Sequence, residues 1–321
     1  MKAAPATEPE PSIDALLRDA VAPRERGPWP DVRAFIGAVA GVAPPDGETS
    51  TVARAIRGGA RADRLGFAFV AGYFAALDGL DPEGAGRTAC VAATEVAGVH
   101  PRAIETTLAR SAGGLVVRGQ KTFVTLAGLA DDLLIVARRE EDDARGRKQL
   151  VALRIPATRD GIRIEDRPAT AFAPEVPHAR VLLEDVEVAE DEVLPGDGWD
   201  DWLRPFRTVE DVHVLAATAG YLLALAAAHD CVGEVAAELA AVVAVALAVE
   251  REGWARSGGQ VALEGAFRLG RAAHERLIAA LPDAAADERR RLERDAPLLL
   301  VAEAARQKRL AGAIARVTGR S

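Results

Sequence analysis

Lys121-Thr122-Phe123-Val124-Thr125, with Thr94-Glu95-Val96-Ala97-Gly98-Val99-His100-Pro101 upstream, lies in the one region of the 321-residue chain where apolar residues recur with a period of two. From Thr88 to about Leu194 the sequence offers Leu115-Val-Val117, Leu133-Leu-Ile-Val136, Leu150-Val-Ala-Leu-Arg-Ile155, Gly161-Ile-Arg-Ile164 and Val181-Leu-Leu183. Gly113-Gly114, Gly119, Gly128, Gly146 and Pro156 separate these runs. Short strands at near-regular spacing with turn signals between them predict an antiparallel β-sandwich or barrel. No ten-residue helical pattern intervenes, and no Gly-x-Gly-x-x-Gly follows a strand, so a parallel βαβ sheet and a dinucleotide fold have nothing to rest on.

Outward from this region the period changes to that of a helix on both sides. Ser12 precedes Ile13, Leu16 and Leu17 as an N-cap before an apolar face. Val32, Phe35, Ile36 and Val39 recur at helical spacing, a Pro44-Pro45-Asp-Gly47 turn follows, and Arg61 to Leu80 reads as a helix with Leu65, Phe69 and Tyr73 or Ala76 on one face. Asp81-Pro82 ends it. Beyond Pro195-Gly-Asp-Gly198 four long helices are expected, over about 200–229, 233–255, 259–281 and 286–317, with Pro297 starting a new helix inside the last and Asp295 as its cap. Long helices joined by short loops pack as antiparallel neighbours, which predicts a four-helix bundle. The expected organisation is a disordered tail at 1–11, an N-terminal helical domain at 12–87, a middle β-domain at 88–198 and a C-terminal helical bundle at 199–321.

Composition narrows the function. A net charge of -8 lacks the basic footprint of a nucleic-acid protein. The most apolar run, Leu239 to Val249, is far shorter than the roughly 20 residues a membrane span needs. Residues 1–12 are rich in proline and glutamate and lack the apolar core of a secretory signal. Cys90 and Cys231 stand too far apart in sequence for metal-ligand spacing or a disulfide framework, which fits a reducing, cytoplasmic setting.

The order helices, β-domain, four-helix bundle is that of the acyl-CoA dehydrogenase family, and the β-domain carries the specific resemblance. Thr94-Glu95-Val-Ala-Gly98-Val-His100-Pro101 resembles the family's Thr-Glu-Pro-x-x-Gly-Ser-Asp segment. Ile104-Glu-Thr106, Gly114-Leu-Val-Val-Arg-Gly119, Lys121 to Thr125, and Ala130-Asp131 with the following Leu-Leu-Ile-Val-Ala137 come in family order at near-family spacing. Pro177-His178-Ala-Arg-Val181 with Glu184-Asp185-Val186-Glu-Val188 resembles the strand and turn that close the domain. The likeness is good over about 88–225 and looser in the flanks. It implies a flavin protein in which Phe123 packs near the isoalloxazine. Val124, Thr125 and nearby amides would then meet its polar edge, with Thr94 and Gly98 beside the flavin and its pyrophosphate. Without the resemblance, Phe123 reads as core and Thr125 as an ordinary strand residue.

The departures matter too. Val99 or His100 stands where the family often has a pyrophosphate-binding Ser, and after Ala228-His-Asp-Cys-Val232 there is no Arg-x-x-Phe-Gly hairpin to reach a partner subunit's FAD. Ser257-Gly-Gly-Gln260 has the wrong order for the family's Gln-x-x-Gly-Gly segment and reads as an interhelical turn. The resemblance thus implies FAD with a weakened grip.

Acyl-CoA dehydrogenation needs a carboxylate to take the α-proton of an acyl thioester as hydride leaves the β-carbon for flavin. The late bundle, Ala284 to Leu300, lacks the Tyr-Glu-Gly-Thr-like loop that carries this base in most of the family. Some relatives place the base on the first bundle helix, ten residues before a Gly, and Glu210 precedes Gly220 by ten here. Glu210 shares a helix face with Val214, Ala217 and Tyr221, and an apolar face would desolvate a carboxylate and raise its pKa. Against it, Glu210 could simply pair with Arg207, Asp211 stands where such relatives usually have Arg, and His213 could bond Glu210 or serve packing alone.

Two readings from different classes follow. One is an FAD-dependent oxidoreductase acting on an acyl-CoA or similar thioester, with an electron-transfer partner. The other is a non-catalytic relative, a partner subunit or ligand-binding protein with a degraded FAD site. Another flavin chemistry on the same fold, such as a monooxygenase, is a third. The run Glu234 to Val249 is apolar on nearly every face, which predicts a covered helix and a homodimer or higher oligomer.

Overall fold

The computed structural model of the protein describes residues 11–23, 26–40, 49–140 and 149–319. The expected tail up to residue 10, the Pro44 to Gly47 turn and Gly146 lie outside the described residues. The chain divides into two compact units, residues 80–207 and residues 1–79 with 208–321.

The first unit is a seven-stranded sheet: β1 Ala89–Ala92, β2 Thr107–Ser111, β3 Gly114–Thr125, β4 Asp132–Arg139, β5 Leu150–Pro156, β6 Ile162–Asp166 and β7 His178–Val188. The order is β1-β4-β2-β3-β7-β6, with β5 also on β4. Four pairings are antiparallel, as the short turns predict, but β1 and β2 both run parallel to β4, so the sheet is mixed. No crossover helix is needed for this, because β2 and β3 themselves form the connection between β1 and β4. Residues Asp132 to Ala137 of β4 are buried without alternation, which explains the unbroken Leu-Leu-Ile-Val run: a strand covered on both faces has no polar side to show. β3 is long and loses register with β7 twice, between Val117 and Gly119 and between Lys121 and Val124. Such irregularities re-aim side chains. At the second, Lys121 is buried, Phe123 exposed and Val124 buried again.

The second unit is helical: α1 Ile13–Val21, α2 Val32–Ala40, α3 Thr51–Ala60, α4 Leu65–Leu80, α5 Arg204–Ala228, α6 Ala236–Glu252, α7 Ser257–Ala280, α8 Ala286–Asp295 and α9 Glu303–Val317. The Ser12 hydroxyl caps α1 by accepting from Ala15 N at 3.1 Å. The helix expected from Arg61 starts at Leu65, because Arg61 closes α3 instead. Ser257 to Gln260 form the first turn of α7 rather than an interhelical turn; the chain reverses at Gly253, whose φ is 95°. The last expected helix is two, parted by a 3-10 turn at Ala296–Leu300 that contains Pro297. Proline lacks the N–H a continuing helix would need. Asp295 precedes that turn but its side chain makes no cap bond.

α5 lies against α3 at almost backbone distance. A Cβ on Gly59 would stand 1.9 Å from the carbonyl oxygen of Ala217, and one on Gly220 would stand 2.1 Å from that of Ile56. α5 with the turn before it is long and apolar enough to cross a bilayer, yet 83% of its apolar window is buried inside the protein. It is a core helix. On α6, Leu239, Val242, Val243, Ala246 and Val249 are buried, and Ala240, Ala241, Ala244, Val245, Leu247 and Ala248 are half-exposed.

Candidate functional site

In the β unit the segments singled out in the sequence meet at one edge. Thr94 and Glu95 enter a tight turn that Glu95 and Gly98 close with two reciprocal backbone hydrogen bonds, of 3.0 and 2.9 Å. Gly98 adopts a φ of 104° there. Thr122 N donates to the Thr94 carbonyl at 2.8 Å, so the turn runs against β3 just before Phe123.

Beneath this turn is a buried ion pair. Lys121 Nζ lies 2.6 Å from Glu95 Oε1, with the lysine side chain fully buried and the glutamate 7% exposed. Lys121 also donates to the Val136 carbonyl at 2.6 Å, while Glu95 accepts from Glu105 N, Thr106 N and the Thr106 hydroxyl. Burial alone would raise the Glu95 pKa. The Lys121 ammonium and these hydrogen bonds outweigh it and hold the carboxyl below its usual range. Burial brings Lys121 down to about 8, against the pull of Glu95. Glu95 and Lys121 are therefore an internal strut. They fasten the turn to β3 and β4, and the Glu95 carboxylate is turned inward.

Beyond the strut stands Phe123, 40% exposed, with Val124 buried beside it and Thr125 half-buried. Val124 can offer a ligand only its backbone. His178, which the sequence placed in the closing strand, and Arg167 complete the edge. The His178 ring stacks on Phe123 at 4.2 Å between centroids, and its Nδ1 lies 3.2 Å from the Thr125 hydroxyl. Arg167 holds its guanidinium 5.5 Å from the Phe123 centroid and donates to the Thr122 carbonyl. Burial and then the Arg167 charge push the His178 pKa down to about 4, so the imidazole is neutral near pH 7. A lone His opening a strand carries no sequence signal of this role; only the β3–β7 register, which places His178 opposite Thr125, reveals it.

Glu210 stands half-buried on α5 in the helical unit, on a face that continues through half-buried Val214 to buried Ala217 and Tyr221. Its neighbours in sequence are committed elsewhere. Asp211 is buried and ion-paired with Arg306, at 3.4 Å, and with Arg309. His213 is fully buried: its Nδ1–H donates to the Val209 carbonyl at 2.7 Å, and its Nε2 lies 2.7 Å from the Thr51 hydroxyl. Thr51 Oγ1 also lies 3.0 Å from Glu250 Oε1, so its one proton is shared between Glu250 and His213. Nδ1 is thus engaged within α5 and Nε2 with α3, and neither is directed to Glu210.

Residues 90–186 match the family model described as acyl-CoA dehydrogenase, middle domain. The described residues have the acyl-CoA dehydrogenase-like fold. It is similar to a Mycobacterium smegmatis glutaryl-CoA dehydrogenase in complex with FADH2, with a TM-score of 0.68 and 14% identity, covering 96% of this chain and 94% of that one. It is similar to Megasphaera elsdenii butyryl-CoA dehydrogenase, with a TM-score of 0.62 and 16% identity, covering 94% and 89%. It is also similar to a chain from the electron transferring flavoprotein structure of Acidaminococcus fermentans, with a TM-score of 0.71 and 14% identity, covering 94% and 97%. At such identities these likenesses speak for the fold. No curated protein matches the sequence.

Proposed function

We propose that the chain is an FAD-dependent oxidoreductase acting on an acyl-CoA or a similar thioester. The observation that carries this reading is the Phe123 edge: an aromatic ring left 40% exposed at the end of a strand, with a hydroxyl two residues on, inside the segment that matches the acyl-CoA dehydrogenase middle domain. The residues fit the group. An exposed aromatic face suits a flat, largely apolar ring, and Thr125 supplies a polar partner for its rim. The neutral His178 adds no charge there. Phe123, Val124 and Thr125 would hold the ring, with Thr94 and Gly98 at the turn beside it. When bound, FAD would supply the hydride acceptor.

In this reading Glu210 is the base that takes the α-proton of the thioester. Its place on a helix face that passes into apolar core supports the assignment. The outer face of α6, built of alanine, valine and leucine, supports a two-fold homodimer, and the likeness to an electron transferring flavoprotein structure supports a protein electron acceptor. Two free, buried cysteines, Cys90 and Cys231, are consistent with a cytoplasmic setting.

A second reading, a non-catalytic relative, is favoured by one observation: His178 already covers part of Phe123 and engages the Thr125 hydroxyl. The visible spectrum of the purified protein, before and after addition of FAD, tests both. The oxidoreductase reading expects a flavin band near stoichiometry that bleaches with an acyl-CoA. Glu210→Gln should keep the band and slow bleaching by about 10²–10⁴-fold. Equal bleaching in Glu210→Gln removes Glu210 from the chemistry. Bound flavin that no thioester bleaches leaves the non-catalytic reading standing.

A further inference from the structure

His178 has no part in the proposed reaction, yet it sits on the proposed flavin edge and takes one of its polar atoms. It opens β7 directly opposite Thr125, stacks on Phe123 with an interplanar angle of 27°, and brings Nδ1 to 3.2 Å from Thr125 Oγ1. Burial first, and then the positive charge of Arg167 from the loop before β7, disfavour an imidazolium. A neutral imidazole has one N–H and one bare nitrogen. The intrinsically favoured tautomer carries its proton on Nε2, which leaves Nδ1 as an acceptor. The partner of that acceptor is a hydroxyl with a single proton. Once Thr125 donates that proton to His178, only its lone pairs remain for anything lying on Phe123.

We propose that His178 makes the Thr125 hydroxyl an acceptor-only group, and that the edge therefore prefers reduced over oxidised flavin. The second clause rests on the FAD reading above. Oxidised isoalloxazine offers acceptors along its polar rim at N1, O2, O4 and N5, and one donor, N3–H. Two-electron reduction places a further N–H at N5. A hydroxyl that can only accept is mismatched to the added lone pairs of the oxidised ring and matched to the N–H that reduction creates.

The first test needs no flavin. In apo protein with nitrogen-labelled histidine at neutral pH, the His178 resonances should report a bare Nδ1 and a protonated Nε2. A protonated Nδ1 overturns the proposal outright. The second compares affinities for oxidised and dithionite-reduced FAD in wild type and His178→Phe, which keeps a ring on Phe123 but removes the acceptor. His178→Phe should bind oxidised FAD about tenfold more tightly with little change for the reduced form. For a two-electron couple this lowers the bound potential by about 30 mV. In a Thr125→Val background the same exchange should change neither. Equal weakening of both forms by His178→Phe means that the ring only packs, and the preference is wrong. A wild type that binds neither form overturns the FAD reading itself, a different failure from binding both forms with no shift on substitution.

Discussion

The two units secure their key segments by opposite means. In the β unit a charged pair is drawn wholly inside: Lys121 and Glu95 are tied to each other and to three backbone groups, at 2.6 to 3.2 Å. In the helical unit α5 is secured by the lack of side chains, with Gly59 and Gly220 letting backbones touch. An ion pair inside a protein contributes little net stability, because desolvation offsets attraction, but it is costly to break. Close backbone packing adds dispersion along the whole crossing and leaves no space for any addition. The β turn is thus held by chemistry that fails when one partner is lost, and the helix crossing by shape that fails when anything is gained.

The sharpest way to break the comparison is Lys121→Met. It leaves the Glu95 carboxylate buried without its cation and should cost about 3–5 kcal/mol in denaturant unfolding of the β unit. Adding Glu95→Gln removes the orphaned charge while its amide oxygen can still accept from Thr106, and should restore most of that loss. If the double variant is no better than the single, the pair stabilises the turn by attraction and not merely by matched burial. Next comes Gly59→Ala, which would place a methyl carbon 1.9 Å from the Ala217 carbonyl oxygen. Both partners are helix backbone, so relief means moving α3 off α5, at about 3 kcal/mol. A stability change below about 0.5 kcal/mol would show that the crossing is looser than described.

This contrast also explains what the sequence could reveal. The β unit was legible because its strut and rim are built from distinctive side chains at fixed spacing, and the Thr94 to Gly98 and Lys121 to Thr125 segments do come together. β1 and β2 went unread: Ala-Cys-Val-Ala and Thr-Leu-Ala-Arg-Ser have neither clear alternation nor strong strand formers, and pairing to β4 makes them strands. The mixed sheet was hidden for the same reason. α3 escaped as a separate helix because Gly58 and Gly59 weaken its local propensity, while tertiary contact with α5 makes those glycines necessary. Glu95 could be placed beside the proposed site from its motif, but its inward direction could not. His178 required the register between two strands that lie 53 residues apart at the Thr125 contact.

Acid should weaken both units. His213 in the helical unit is fully buried; burial, aided by Arg54 and opposed by the Val209 bond and Glu250, lowers its pKa to about 4. A histidine whose pKa falls on folding is neutral in both states above about pH 6.5. Between 6.5 and 4 the unfolded chain takes the proton and the folded one does not, so stability is lost across that window and no further below it. The full loss from His213 is at most roughly 3 kcal/mol. Glu95, lowered in its turn, sheds its contribution only as pH falls below the usual carboxylate range. His178 in the β unit, whose pKa also falls to about 4, loses stability with the same sign over the same window, so unfolding measured at pH 7 and pH 5 should show the loss in both units. Substituting His213→Phe should flatten that pH dependence in the helical unit, even if the variant is less stable at pH 7 for want of the Thr51 and Val209 bonds. An unchanged dependence would mean that other groups carry it.

The smallest expected effects distinguish two serines that do the same local job. Ser12 caps α1 from an exposed position, accepting from Ala15 N at 3.1 Å. Ser50 caps α3 by accepting from Ala53 N at 3.0 Å, and it also donates to Glu250 Oε2 at 2.5 Å. Glu250, from the last turn of α6, accepts as well from Val52 N at 3.0 Å, so its negative charge lies at the N-terminus of α3, where the helix dipole favours it. Loss of a cap alone costs about 1 kcal/mol, which is the expectation for Ser12→Ala. Ser50→Ala also strips a donor from a half-buried carboxylate, and about 2 kcal/mol is expected. The two variants, measured by denaturant unfolding at pH 7, compare a cap that serves its own helix with one that joins two. Equal losses would mean that Glu250 gains nothing from Ser50, and that Thr51 and Val52 alone join α6 to α3 there.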